Sequence, residues 1–341
     1  MLDDLKYIHQ RDHSDALGVA EKQWQQLLHE YATLVKLDDV QNIVVAGMGG
    51  SALAATFITL WPGVNVPFEI VRGYDIEPFV SNKTLFIASS YSGNTEETLS
   101  ALEQAEQKNA QIVVVSAGGK LADIAIKKGF PYFELPSNFQ PRMAVFYNFA
   151  ALVHLLVAAN MVEHSAISEM HQAADFLKLQ VQAWRADMPK SNNQAKQLAL
   201  ELVGKSPVVY AGSVLYPAAY KWKINFNENA KNVAWCNQLP EFNHNEFLGW
   251  SSHPVEKPYA PIFLQSSFDH AQITKRFEVS ARLLSGKMPA PQIVKAEGKT
   301  VLEQLLWTIT LGDFVSLYLA LLNNIDPTPV DLIEKLKKEL S

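Results

Sequence analysis

The sequence is poor in cysteine and in basic charge. Cys236 is the single cysteine among 341 residues, which excludes a disulfide within the chain and is typical of a reducing compartment. The 29 Lys and Arg residues are outnumbered by 35 Asp and Glu residues, and the net charge is −6. The chain therefore lacks the basic surplus with which proteins neutralise nucleic-acid phosphates, and we expect no nucleic-acid partner.

Long uninterrupted apolar segments are also scarce. Residues 146–162 are mostly apolar, but Asn148, His154 and Asn160 interrupt them, so they do not predict a membrane span. Residues 1–6 include two acids and lack the apolar core of a signal peptide. We therefore expect a cytoplasmic protein without a membrane partner, long enough for two α/β domains.

Small hydroxyl residues are concentrated at residues 89–98, between an apolar segment that predicts a buried strand and a segment of strong helix formers. A helix N-terminus exposes unpaired N–H groups and the positive end of the helix dipole. The hydroxyls of Ser90, Ser92 and Thr95 at such a point favour binding of a phosphate. The alternative is a simple N-cap, although a cap needs only one hydroxyl.

A second loop of this kind follows the predicted strand at residues 42–46, where Gly47, Gly49, Gly50 and Ser51 lead into a helix. Missing Cβ atoms let a backbone approach a ligand closely, but tight packing of a helix on a strand would require the same glycines. The spacing fits a dinucleotide-binding fingerprint poorly. Because both loops leave parallel strands in the same direction, they can meet over one site.

Apolar strands alternate with helices through the first half of the chain and again from residue 206. This pattern predicts an α/β fold with parallel sheets covered by helices on both faces. Residues 206–213 repeat the order of strand, glycine and hydroxyl found at 44–51, without a counterpart of the hydroxyl-rich loop. We place the domains at residues 1–163 and 164–341, and expect an N-terminal helix over about residues 17–37.

Three charged or titratable side chains occupy unusual positions. Arg142 follows a proline in the first turn of a predicted helix, where the dipole disfavours a cation. Glu228 lies near a helix C-terminus, where a carboxylate is disfavoured. His244, in the polar loop 240–246, has an unperturbed pKa near neutrality and can carry protons. A solvated arginine and a capped helix start are the alternatives for Arg142 and His244. The spacing of Glu and His does not match a zinc motif, and we predict no metal site.

Taken in order, five motifs resemble the bifunctional phosphoglucose/phosphomannose isomerase family. They are Gly-Met-Gly-Gly-Ser at 47–51, Ser-Tyr-Ser-Gly-Asn-Thr-Glu-Glu-Thr at 90–98, Pro-Arg at 141–142, Asn-Glu-Asn-Ala-Lys at 227–231 and Glu-Phe-Asn-His-Asn-Glu at 241–246. The resemblance covers residues 44–340. It implies two sugar-isomerase (SIS) domains of flavodoxin-like fold in a homodimeric enzyme of glycolysis and gluconeogenesis. The implied reaction interconverts glucose 6-phosphate, and mannose 6-phosphate, with fructose 6-phosphate through a cis-enediol.

The resemblance also implies roles for the matched residues. Those that hold the substrate phosphate are Gly50, Ser51, Ser90, Ser92 and Thr95. Glu228 matches the general base, and Arg142 matches the residue that steadies the enediolate. His244 matches the group that assists ring opening, reaching the site from the neighbouring subunit.

The resemblance places a lysine of the last helix beside the ring oxygen. Lys337 fits best, with Lys335 and Lys338 as alternatives, and Thr328 is a candidate for accepting both C2 epimers. The reaction needs a base, an oxyanion donor and an acid–base group, so no cofactor is expected. The alternatives are an SIS isomerase of another sugar phosphate and a non-catalytic sugar-phosphate-binding regulator. The Glu228 and His244 motifs favour an enzyme, since a regulator needs no aligned base.

Overall fold

The computed structural model describes residues 1–252 and 258–340, and it divides the chain into two compact units. The five-stranded unit comprises Gln23–Asp175, and the four-stranded unit comprises Met1–Lys22 with Phe176–Ser341. This division differs from the boundary that we placed at residues 163 and 164. Residues 1–22 belong with the four-stranded unit because the Tyr7 hydroxyl donates to Leu321 O (2.7 Å) and Arg11 Nε to Asn324 Oδ1 (2.7 Å).

The helices and strands are numbered along the chain. The helices are α1 (Leu5–His9), α2 (Ala16–Lys22), α3 (Gly49–Ile58), α4 (Glu96–Gln107), α5 (Gly119–Lys128), α6 (Val145–Ala158), α7 (Ser165–Gln180), α8 (Gln194–Glu201), α9 (Tyr216–Glu228), α10 (Glu246–Gly249), α11 (Ala271–Leu283), α12 (Val301–Leu322) and α13 (Asp331–Leu340). The strands are β1 (Asn42–Ala46), β2 (Phe68–Val71), β3 (Thr84–Ser89), β4 (Gln111–Ser116), β5 (Tyr132–Glu134), β6 (Ser206–Ala211), β7 (Trp235–Gln238), β8 (Tyr259–Gln265) and β9 (Gln292–Lys295). Short 3-10 helices cover Gln23–Leu28, Pro141–Met143, Val181–Trp184, Lys190–Asn192 and Glu241–His244.

The five-stranded unit is built on a parallel sheet in the order β2-β1-β3-β4-β5. Every residue of β3 is buried, as expected for a central strand covered on both faces. Phe86 and Ala88 join a cluster with residues of α4 and α5, whereas Ser89 faces the other way and accepts a hydrogen bond from Asn148 Nδ2 of α6 (3.0 Å). The order reverses between β1 and β3, where open α/β sheets bind ligands at the carboxyl ends of their strands.

The four-stranded unit repeats this arrangement with a parallel sheet in the order β7-β6-β8-β9. Tyr210 and Phe263 pack on one face with Phe277 of α11, and α9 and α12 belong to the other. Within residues 1–252 and 258–340, α12 is the one helix long and apolar enough to cross a bilayer, but 94% of its most apolar window is buried in the protein. It is a core helix, and the predicted fold class is confirmed.

The helix that we predicted over residues 17–37 is wrong in its second half. The structure has α2, then the 3-10 helix Gln23–Leu28, and no helix over residues 29–37. Two tertiary hydrogen bonds hold this segment instead: Tyr31 OH donates to Tyr147 O (3.1 Å) and Thr33 Oγ1 to Tyr132 O (2.9 Å). Side chains and carbonyls distant in sequence thus override a local helical pattern.

Candidate active site

The loops after β1 and β3 touch each other, as the sequence predicts. Tyr91 N donates to Ser51 Oγ across 3.3 Å, and a Cβ on Gly47 would lie 2.8 Å from Ser89 O. A Cβ on Gly50 would lie 3.0 Å from Pro141 O. Close backbone packing therefore suffices to require both glycines, and neither by itself is evidence of a ligand.

The hydroxyl groups converge rather than cap the helix. Ser90 Oγ lies 2.7 Å from Thr95 Oγ1 and 3.5 Å from Ser92 Oγ. Thr95 occupies the N-cap position of α4 without a side-chain capping bond, so the simple N-cap alternative is wrong. Met48, the N-cap residue of α3, makes no side-chain capping bond either. At the described starts of α3 and α4, therefore, the N-cap side chain makes no bond to the first backbone N–H groups of the helix. Two uncapped helix N-termini beside three hydroxyls suit an anion.

Gly93 fixes the shape of the hydroxyl-rich loop. Its φ is +67°, and an added Cβ would collide with Gly118 O, so no other residue fits there without strain. Leu121 N donates to Gly93 O (3.0 Å) and Lys120 N to Asn94 Oδ1 (3.0 Å). The loop after β4 thus holds the loop after β3 in place.

Arg142 is 2% exposed, so the alternative of a solvated arginine is wrong. It lies in the 3-10 helix Pro141–Met143, whose first residue contacts Gly50. Its Nη1 donates to Gln140 Oε1 (3.4 Å). Burying a guanidinium is costly, and the fold nevertheless buries this one in the 3-10 helix whose first residue contacts Gly50.

Glu228 ends α9, a helix fixed by a row of polar side chains facing α12. Lys221 Nζ donates to Asn225 Oδ1 and to Asp313 Oδ1, each over 2.6 Å. Asn225 Nδ2 also donates to Asp313 Oδ1, and Asn229 Nδ2 donates to Ser316 Oγ (2.9 Å). Asn225 and Asn229 therefore set the position at which the half-buried Glu228 leaves the helix.

Lys231 fastens the same end of α9 to the chain that follows α12. With φ at +51°, it donates from Nζ to Glu228 O (2.8 Å), Asp326 O (3.1 Å) and Pro327 O (3.0 Å). The last carbonyl groups of a helix have no hydrogen-bond partner within the helix, and the bond to Glu228 O supplies one. These bonds also bring Glu228 close to Thr328, two of the residues that the sequence singled out.

The structure does not bring Glu228 and His244 of one chain together. β6 and β7 are parallel, and α9 returns between them from the carboxyl edge of the sheet to the amino edge. Glu228 ends this return, whereas the exposed His244 follows the carboxyl end of β7. A helix of 13 residues is about 20 Å long, so the two side chains lie at opposite edges of the sheet.

Lys337 lies on α13, all of whose residues are exposed in the described chain. Its Nζ donates to Glu334 Oε1 over 2.9 Å. Lys335 is paired with Glu339 at 3.8 Å. The geometry of α13 therefore does not distinguish Lys337 from its neighbours as an active group.

Glu246, to which the sequence motif assigned no role, accepts hydrogen bonds with its carboxylate from Tyr210 OH and from Asn237 Nδ2 (2.7 Å). Burial and this carboxylate raise the pKa of Tyr210. Glu246 also borders a cavity of about 360 Å³, whose lining includes Trp235, Cys236 and Trp250. These bonds join Glu246, the first residue of α10, to β6 and β7.

The four-stranded unit does have a counterpart of the hydroxyl-rich loop, contrary to our prediction. Ser266 and Ser267 follow β8, next to β6 in the sheet. There the side chain of Asp269 contacts Gly212 so closely that a Cβ on Gly212 would collide with it, and Asp269 Oδ2 accepts from Ser266 N (3.1 Å). The Asp269 carboxyl group therefore occupies the space between the loops after β6 and β8.

The protein has two flavodoxin-like sheets, and in the five-stranded one the two loops rich in glycine and hydroxyl groups meet where the strand order reverses. These features define a protein of two SIS domains. The SIS domain model matches residues 36–125, and the model of the bacterial phospho-glucose isomerase C-terminal SIS domain matches residues 191–340. The crystal structure of a glucose-6-phosphate isomerase like protein from Thermus thermophilus has the same fold, with a TM-score of 0.64 and 17% identity over 99% of this chain and 98% of that one.

The chain belongs to the bifunctional phosphoglucose/phosphomannose isomerase family. The family member from Caldicellulosiruptor bescii is 35% identical over 311 residues, covering 90% of this chain and 91% of that protein. A D-glucosamine-6-phosphate 4-epimerase from Sulfolobus acidocaldarius is 29% identical over 299 residues, covering 87% and 89%. The predicted enzyme class, a sugar-phosphate isomerase, is confirmed.

Proposed function

We propose that the enzyme interconverts glucose 6-phosphate and mannose 6-phosphate with fructose 6-phosphate through a cis-enediol, with Glu228 as the base. Family membership supports the reaction. The observation that carries the assignment of the base is the frame around Glu228, in which Asn229 and Lys231 are both bonded to other elements. A base must be held rigidly, because small displacements reduce proton-transfer rates.

In this proposal the residues divide the chemistry between them. Glu228 takes the proton from C2 of the open-chain aldose, which gives the enediol, and returns it to C1, while the C2 hydroxyl loses a proton and O1 gains one; the aldose becomes the ketose. Arg142 stabilises the negative charge that develops on the enediolate oxygen, in a buried setting where charge interactions are strong. His244 and Lys337 act at ring opening, and Thr328 is the candidate for accepting substrates that differ at C2.

The substrate phosphate is assigned to the loops after β1 and β3, with Ser51, Ser90, Ser92 and Thr95 as donors and Gly50 at the helix N-terminus. A phosphate held away from the reacting carbons supplies binding energy that orients the sugar. Operation in glycolysis and gluconeogenesis, and a cytoplasmic location, stay predictions from the sequence.

The proposed enzyme is a homodimer in which His244 serves the neighbouring subunit. The separation of Glu228 and His244 across one sheet supports this arrangement, because a single chain cannot apply both to one sugar. In a two-fold dimer each subunit would complete the site of the other.

The direct test is an assay of the purified protein on glucose 6-phosphate, mannose 6-phosphate and fructose 6-phosphate, with D₂O to detect exchange at C1 and C2. We expect turnover of all three and deuterium incorporation. The second candidate, an enzyme for an amino sugar phosphate, is favoured only by the similarity to the epimerase, and turnover confined to glucosamine 6-phosphate would establish it. Binding without turnover of any sugar phosphate would favour a regulator.

Mixed dimers test the shared site. Neither Glu228→Ala nor His244→Ala should be appreciably active alone. Mixed after unfolding and refolding together, they should recover about a quarter of wild-type activity, because half the dimers are mixed and each has one complete site. Activity that stays absent in isolated mixed dimers would show that His244 serves its own subunit.

Removing one phosphate-loop hydroxyl tests the binding role separately from chemistry. Thr95→Val keeps the shape of the side chain, so we expect KM for fructose 6-phosphate to rise about tenfold, as for one lost hydrogen bond to a charged group, with kcat nearly unchanged. The matched control is Thr98→Val: Thr98 is buried one turn along and its Oγ1 has no hydrogen-bond partner in the described chain. Equal KM values for both variants would remove Thr95 from the phosphate site.

A further inference from the structure

Glu30, His154 and His171 converge within the five-stranded unit, away from the phosphate loops. His154 lies on α6 and His171 on α7, while Glu30 follows the 3-10 helix Gln23–Leu28. Their ligand atoms all lie within 4.8 Å of one another. We propose that these three side chains bind a divalent transition-metal ion of the zinc type, a site unrelated to the isomerase chemistry.

The distances favour an ion between the groups over direct bonds. Glu30 Oε2 lies 3.8 Å from His154 Nε2, and Glu30 Oε1 lies 3.7 Å from His171 Nε2. Both are too long for hydrogen bonds. Around a tetrahedral ion with bonds of about 2.0–2.2 Å, neighbouring ligand atoms lie roughly 3.3–3.6 Å apart. The two carboxylate–imidazole distances are close to this range, and the two imidazole nitrogens lie within 4.8 Å of each other.

The two imidazole nitrogens lack the partners that buried polar atoms normally have. His154 is 5% exposed, and Nε2 of both His154 and His171 is buried without a hydrogen-bond partner in the described part of the chain. One such atom costs about 1–3 kcal/mol, and two beside one carboxylate call for a common explanation. A bound cation satisfies both lone pairs at once.

The protonation state fits a ligand better than an ion pair. Burial lowers the pKa of His154, and His171, His29 and His164 lower it further, against the opposing effect of Glu30. A lowered pKa favours the neutral imidazole, the form that offers a lone pair to a metal. The Tyr31 ring stands edge-on against His154, with ring centroids 5.6 Å apart, and restricts its orientation.

The donor set selects the class of ion. Two imidazole nitrogens and one carboxylate suit Zn²⁺, Co²⁺ or Ni²⁺, whereas Mg²⁺ and Ca²⁺ prefer oxygen alone. The Glu30 side chain is 69% exposed, so an ion can enter from solvent and keep a water as its fourth ligand. His154 lies about 14 Å along α6 from the end nearest Arg142, so the ion's effect would be to clamp α6, α7 and the segment at Glu30 together.

Co²⁺ titration of untagged, chelator-treated protein tests this site, because tetrahedral Co²⁺ bound to protein ligands absorbs visible light. We expect one ion per chain, displacement by Zn²⁺, and a Zn²⁺-dependent rise in Tm. Glu30→Gln and His171→Gln should each weaken binding about 100-fold and abolish the rise in Tm. Neither change removes a fully buried side chain, so the variants should fold.

The matched control is His164→Gln, an exposed histidine near His154 that contributes no ligand atom to the cluster. It should bind as wild type does. The proposal is overturned if the wild type shows no saturable binding below millimolar metal, or if Glu30→Gln and His171→Gln bind normally. Loss of binding in His164→Gln equal to that in His171→Gln would contradict the assigned ligands.

Discussion

Replacing Glu228 with glutamine is expected to lower kcat on all three hexose phosphates by about 10²–10⁴-fold, the usual contribution of a positioned proton-transfer group. Glutamine keeps the size of the side chain but cannot accept a proton. Because the phosphate loops are untouched, KM should change little. Steady-state kinetics in both directions, with loss of deuterium exchange at C2, measures the effect.

Glu201→Gln is the matched control for this substitution. Glu201 also ends a helix, α8, and is exposed, so the loss of one negative charge at a helix C-terminus is common to both variants. It should leave kcat unchanged. If Glu228→Gln turns over substrate as fast as Glu201→Gln, Glu228 is not the base.

Replacing Asp313 with alanine is expected to destabilise the four-stranded unit by about 3–5 kcal/mol. The Lys221 ammonium is 1% exposed and would lose its carboxylate partner, and an uncompensated buried charge is strongly destabilising. Urea unfolding followed by tryptophan fluorescence should show a lower midpoint. Activity at low temperature should fall too, because Asp313 fixes the helix that presents Glu228.

Two further variants separate the buried pair from charge effects in general. Lys221→Met with Asn225→Leu and Asp313→Leu removes both charges and the buried amide that bonds to them. It should recover most of the lost stability, since apolar replacements of buried polar networks are often tolerated. Glu339→Gln breaks the exposed pair with Lys335 and should cost less than about 1 kcal/mol. A small effect of Asp313→Ala, similar to that of Glu339→Gln, would contradict the structural role of the pair.

The sequence predicted the parts of the fold that depend on local patterns. Alternating strands and helices are local, and so are the glycines and hydroxyls at Gly50 and Ser90, which is why the sheets and the meeting of the loops after β1 and β3 could be anticipated. The path of the backbone between parallel strands is equally regular. Because α9 connects the parallel strands β6 and β7, the sequence also contained enough information to predict Glu228 and His244 at opposite edges of the sheet.

The remaining features depend on contacts between residues far apart in sequence. Glu30, His154 and His171 are brought together by three separate elements, and no motif spacing could have indicated them. The burial of Arg142 likewise depends on tertiary packing. By contrast, Lys221, Asn225 and Asn229 recur every fourth residue, a helical spacing that could have indicated a polar face turned toward a buried partner.

The Asp269 carboxyl group lies between the loops after β6 and β8, against Gly212 and Ser266 N. Without this carboxyl group, two sheets of similar strand order would offer two equivalent pockets. A sugar phosphate bound in the pocket of the four-stranded unit would not be converted to product. A tethered carboxyl group cannot diffuse away, so it competes at an effective concentration that free metabolites do not reach. We therefore expect titration with inorganic phosphate to saturate at one equivalent per chain, at the loops that we propose for the substrate phosphate.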